Sequence, residues 1–166
     1  MNKDKRTGAG GIALGGLLAA MAVVVMGLGG LIPVATYVCP IICTMFLAVF
    51  RKLCGNRLAW AWYGVVAILS ALFSPDKEAA AVYVFLGYYP ILKPVFDTLP
   101  LRWLWKALFF NGSILIVYWL LLYLMGMTQV SEDFRELGIA GLVLMMILGN
   151  FTFFLLDRLL GGRFHR

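Results

Sequence analysis

The sequence predicts an all-α membrane protein of six transmembrane helices, a single domain over residues 1–166 with both termini on the cytoplasmic side. Three observations lead there. The first is composition: 63% of the 166 residues are hydrophobic and only 13% are charged. Soluble domains hold about 45–50% apolar and about 25% charged residues, and a chain this short must leave much of its surface in water. Disorder, a nucleic-acid-binding module, a secreted disulfide scaffold and an ordinary soluble enzyme are all poor fits. The second is that the few charges divide the chain into apolar runs close to the ~20 residues that cross a ~30 Å hydrocarbon core. The third is where the basic residues fall.

The first run covers residues 9–31 and follows the basic start Lys3, Lys5 and Arg6. It is too long for a signal-peptide core, so no cleavable leader is expected. The second covers 33–50 and is ended by Arg51 and Lys52; the third, 58–73, is ended by Ser74-Pro75-Asp76-Lys77-Glu78. The fourth, 79–92, closes at Lys93-Pro94 and is too short for a regular crossing. It therefore predicts a broken or partly sunken helix, or one lengthened by polar neighbours. The fifth covers 103–127 and the sixth 137–156, followed by Asp157-Arg158.

With the N-terminus inside, the four inner segments hold three basic residues each, twelve of the fourteen in the chain. The outer loops keep Lys77 and Arg135 beside five acids. This split follows the positive-inside rule and makes the short fourth run a crossing. The net charge of +6 thus reads as membrane orientation rather than nucleic-acid binding. Trp60, Trp62, Trp103, Trp105, Tyr88 and Tyr89 near span ends read as interfacial anchors.

Span one has a distinct texture. Gly11, Gly15 and Ala19 recur every fourth residue, as do Gly16 with Ala20 and Ala9 with Ala13. Small residues at this spacing let helix backbones approach closely in lipid. One row is expected to pack within the bundle while the other faces a partner. Cys39 and Cys43, with Pro40 between them and no His or carboxylate nearby, read with Cys54 as packing residues.

Two polar groupings stand out. On the outer side, Asp76 and Glu78 sit where a helix N-terminus favours anions. They share that side with Thr36 and Tyr37 and with Gln129, Glu132 and Asp133, a set able to surround an outward-facing pocket. At least one of the two acids is expected to cap its helix. Deeper, Asn111 and Asn150 both lie ~10–12 Å from the inner ends of their spans, which predicts an interhelical amide bond worth about 0.6–2 kcal/mol. No ionisable residue falls in the middle of a span, as buried proton-coupling groups would. There is no nucleotide-binding loop, zinc motif or catalytic His, since the lone His165 sits in the basic tail. No enzyme activity, cofactor or metal is expected.

The layout, and the run from Ala13 through Gly15, Gly16, Ala19 and Ala20 to Val25, resemble the substrate-binding S components of energy-coupling factor (ECF) transporters. The resemblance covers the whole chain in layout and span one in residues. It implies capture of a vitamin-like small molecule in a bacterial cytoplasmic membrane. Its implied contacts are Thr36, Tyr37, Asp76, Lys77, Glu78, Tyr83 and Glu132. Docking onto a transmembrane coupling protein served by two cytoplasmic ATPases would use Ala9, Ala13, Gly15, Gly16, Ala19 and Ala20. The MreD-like cell-shape family is similar in length and span number, and implies a scaffold without a ligand pocket. A small lipid-handling protein is the third reading, with Lys93, Arg102 and Lys106 turned to headgroup phosphates.

Overall fold

The structure is a computed structural model that describes residues 9–29, 35–123, 126 and 128–162; the side chains of 128–137, 142 and 162 lie outside that description. Seven helices and no strand occur among the described residues: α1 (Ala9–Leu28), α2 (Ala35–Cys54), α3 (Asn56–Phe73), α4 (Lys77–Leu86), α5 (Tyr89–Thr98), α6 (Arg102–Tyr123) and α7 (Thr128–Gly162). Taken as α1, α2, α3, the α4–α5 pair, α6 and residues 138–161 of α7, they supply six helices long and apolar enough to cross a membrane. The chain divides into two compact units, Met1–Thr98 and Leu99–Arg166.

In the first unit α2 is the central helix, packed against α1, α3, α4 and α5. Met26, Leu47, Val66, Tyr83 and Tyr89 are its largest buried apolar and aromatic side chains. The inward face of α1 is glycine and alanine: Gly11, Gly15 and Ala22 are buried along with Met26. Side chains of neighbouring elements reach the α1 backbone directly along this face. Trp62 Nε1 donates to the Gly15 carbonyl at 2.9 Å, Cys43 Sγ to that of Ala22 at 3.5 Å, and Ser74 Oγ to that of Met26 at 3.1 Å. The small residues thus set both spacing and hydrogen bonding.

Two breaks in the helices fall at glycines. Gly55, at φ 92° and ψ 175°, is the single residue between α2 and α3; that conformation is open essentially to glycine alone. The fourth span is broken, and also longer than the apolar run suggested: α4 and α5 together run from Lys77 to Thr98. The break falls at Gly87-Tyr88, where a Cβ on Gly87 would stand 2.5 Å from the Tyr83 carbonyl oxygen. Arg51 fastens the second half, donating from Nη1 to the Pro90 carbonyl at 2.6 Å and from Nε to Asn56 Oδ1 at 2.9 Å.

Several charges read as span ends lie inside helices. Arg51 and Lys52 form the last turn of α2, Lys106 lies in the second turn of α6, and α7 continues through Asp157 and Arg158. Long basic side chains can run their stems along apolar surface while the helix continues. Two of the expected interfacial rings are core residues instead: Trp62 is taken up by the Gly15 carbonyl, and Tyr89 is fully buried against Phe96. Trp60, Trp103 and Trp105 are exposed, as a membrane-interface role requires. All three cysteines are buried and unpaired, in keeping with packing residues.

The second unit is an antiparallel pair, α6 on α7. Phe110 stacks on Phe153 with centroids 4.8 Å apart, and Trp103 on Phe154 at 5.1 Å. Asn111 and Asn150 exchange amide bonds at 3.2 and 3.1 Å, the pairing their depth predicted. Each also returns a bond to its own helix, to Ala107 and Met146. α7 kinks at Gly138, whose φ is 62°.

Candidate functional site

Four helix ends meet at one end of the first unit: the last residues of α1 and α3 and the first of α2 and α4. Ser74 joins them. Its hydroxyl shares one proton between the Met26 carbonyl at 3.1 Å and the Asp76 carbonyl at 3.0 Å. Asp76 is the N-cap of α4, its Oδ1 accepting from Ala79 N at 3.0 Å. Its Oδ2 accepts from Thr36 Oγ1 at 2.7 Å, so one carboxylate both starts α4 and ties it to α2. Beside it Tyr37 donates to Glu78 Oε1 at 3.0 Å. Pro40, inside α2, has no N–H to give the Thr36 carbonyl, so the bond a regular helix would make there is missing. Gly29 closes the edge: a Cβ there would lie 3.8 Å from both Asp76 Cβ and Cys39 Sγ.

Four of the seven residues expected to contact a ligand therefore form two direct hydrogen-bonded pairs, Thr36 with Asp76 and Tyr37 with Glu78. Lys77 is adjacent, but its ammonium turns to the end of α3, donating to the Ala71 and Leu72 carbonyls at 3.0 and 3.5 Å. It stabilises the negative end of that helix dipole. Tyr83 lies two turns further along α4, fully buried with its ring 5.8 Å from that of Tyr63. Its hydroxyl and that of Ser70 are buried without a hydrogen-bond partner. An orphaned hydroxyl costs about 1–3 kcal/mol, which marks the interior below the cluster as polar and incompletely satisfied. Glu132, with Gln129 and Asp133, lies outside the described side chains.

The cluster is acidic on balance, with two carboxylates, two hydroxyl donors already engaged and one ammonium directed away. It can accept hydrogen bonds from a ligand. Among the described residues no group of three His, Cys, Asp or Glu side chains is placed to hold a metal.

The expected docking residues separate by face. Ala9, Ala13, Gly16 and Ala20 are exposed along α1, and a Cβ on Gly16 would meet nothing within 4 Å. Gly15 does not belong with them: a Cβ there would stand 3.0 Å from the Phe50 ring, inside the bundle. Ala19 is half-buried and packs on the core. Four-residue spacing places residues on one face without saying which face the bundle covers, so the two rows were separable only in three dimensions.

Ser74 and the pair of Lys106 and Asp157 were missed by sequence reasoning. Ser74 read as a loop residue, and the pair read as flanking charge. Compared with known proteins, the chain matches no family model, no curated protein and no solved structure.

Proposed function

We propose that this chain is a membrane-embedded substrate-capture subunit of an ECF-type importer, with both termini cytoplasmic in a bacterial membrane. One observation carries the reading: Thr36 with Asp76 and Tyr37 with Glu78 form two neighbouring hydrogen-bonded pairs between two separate helix starts, at one end of the first unit. Within the first unit Arg51 and Lys52 at the end of α2 and Arg57 at the start of α3 lie at the other ends of the helices, and by the positive-inside rule that turns the cluster outward. A small molecule with hydrogen-bond donors is received there. The exposed row Ala9, Ala13, Gly16 and Ala20 then docks onto a transmembrane coupling protein that two ATPases drive. Such a subunit needs no catalytic residue of its own.

Affinity purification of the tagged chain from its native membranes, followed by native mass spectrometry, tests this. The expected result is recovery of a coupling protein with two ATPases and a retained small molecule. Gly16→Leu with Ala20→Leu should abolish partner recovery while leaving the chain folded, because neither position is covered by the bundle. Recovery of cell-shape proteins, or partner recovery unchanged by that pair of substitutions, would refute the proposal.

A further inference from the structure

The second unit holds a feature that substrate capture does not use. Lys106 Nζ lies 3.1 and 3.0 Å from the two carboxylate oxygens of Asp157, and both side chains are largely buried. Burying two opposite charges costs several kcal/mol per ion in desolvation, which an apolar pair of the same size would avoid. Ionisable groups inside membrane-spanning helices point to function. Beside the pair is an open cavity of about 210 Å³, lined by Trp103, Lys106, Ala107, Asn150, Phe153, Phe154 and Asp157. Its lining combines charges of both signs with three aromatic rings.

Depth limits what can enter. Lys106 is the fifth residue of α6, and Asp157 lies four residues before the end of the α7 span. At 1.5 Å per residue both are ~6 Å inside their helix ends, the depth at which a spanning helix of this length passes from headgroups to acyl chains. Trp103 and Trp105, exposed at the same end, match the aromatic belt of that boundary. An occupant there is amphipathic and already resident in the bilayer. Its polar part meets an ammonium and a carboxylate together, so a matching headgroup carries an anion for Lys106 and N–H donors for Asp157. A choline headgroup has no N–H to give the carboxylate, and an anionic headgroup without an amine is repelled by it.

We propose that the α6–α7 cavity is a binding site for a zwitterionic phospholipid with a primary ammonium, of the phosphatidylethanolamine type. Its phosphate lies toward Lys106, its ammonium toward Asp157, and its glycerol and first methylenes against Trp103, Phe153 and Phe154. Because the site is confined to the second unit, it stands independently of the substrate-capture reading.

The test is native mass spectrometry of the full chain in mild detergent, equilibrated with equal amounts of phosphatidylethanolamine, phosphatidylcholine and phosphatidylglycerol of identical acyl chains. The wild-type chain should retain the ethanolamine lipid about ten-fold over either competitor, the worth of one charge-assisted hydrogen bond. Lys106→Met with Asp157→Leu removes both charges at similar volume, a replacement that ion pairs often tolerate; the preference should fall to about one-fold. Ala107→Leu fills the cavity with the ion pair intact, and should reduce retention of the ethanolamine lipid. Equal retention of the three lipids by the wild-type chain overturns the proposal, as does a preference that survives both variants. Displacement of the lipid by an equal concentration of water-soluble glycerophosphoethanolamine also overturns it, since the site would then serve a soluble ligand.

Discussion

Replacing Asp76 by alanine should loosen the whole end of the first unit, whereas asparagine should not. The carboxylate does two jobs: Oδ1 caps α4 through Ala79 N, and Oδ2 holds Thr36 on α2. Loss of an N-cap costs about 1 kcal/mol. A hydrogen bond to a charged partner is worth about 1.5–3 kcal/mol, the lower figure applying to a carboxylate only partly buried. The two losses share one group and do not add fully, so Asp76→Ala should cost about 2–3 kcal/mol. Asparagine caps helices as well as aspartate does, and its amide can donate to the Thr36 hydroxyl. Asp76→Asn should therefore stay within about 1 kcal/mol of wild type. Equilibrium unfolding of the purified chain in mixed micelles, followed by circular dichroism, measures both. A double-mutant cycle with Thr36→Val should return a coupling of about 1 kcal/mol. The reasoning is refuted if Asp76→Ala falls within about 0.5 kcal/mol of wild type, as an ordinary surface substitution would. It fails equally if Asn costs as much as Ala.

The adjacent glycines of α1 should respond oppositely in the same assay. Gly15→Ala drives a methyl into the Phe50 ring at 3.0 Å and should cost about 1–3 kcal/mol, while Gly16→Ala meets nothing and should change stability by less than about 0.5 kcal/mol. Gly87→Ala should cost about 1–3 kcal/mol, because the obstacle is the Tyr83 carbonyl and the backbone itself must move. Asn111→Leu and Asn150→Leu should each cost about 0.6–2 kcal/mol, and the double variant should cost less than their sum, since the first substitution already breaks the pair. Cys39, Cys43 and Cys54 are buried, so a maleimide should label them only after denaturation; labelling of the folded chain at a rate like that of a free thiol would refute the packing of α1 on α2.

The helical architecture was legible because it depends on quantities a sequence carries: run length, charge position and depth from a helix end. The asparagine pair shows this best, since equal depth on adjacent antiparallel spans was enough to bring the two amides together. The shortness of the fourth span left a break as one of three possibilities, beside a sunken helix and one lengthened by polar neighbours; nothing in the run marked Gly87-Tyr88 as the place. The pairing of Lys106 with Asp157 escaped notice because each charge, taken alone, looks like the flank of a span. The antiparallel register that pairs Asn111 with Asn150 also carries Lys106 to the level of Asp157, so the first contact could have suggested the second. At the candidate site, the acids and hydroxyls of the two helix starts were readable as a group. The joining role of Ser74 was not, because it depends on the end of α1 passing beside the end of α3. Trp62 and Tyr89 were misassigned for a related reason: an aromatic near a span end satisfies the interface rule whether its ring points to lipid or to a neighbouring backbone.

The carbonyl acceptors along α1 have a consequence for the order of assembly. The hydropathy of α1 is almost uniform around its circumference, so the bilayer gives this helix no preferred azimuth once it has been inserted. Its rotation is decided by donors translated later: Cys43 from α2, Trp62 from α3 and Ser74 from the turn after it. Until α2 is in place, the two rows of small residues are interchangeable. When it arrives, one row is committed to the bundle and the other is left facing outward. The sidedness of α1 is thus acquired during biogenesis, from its neighbours.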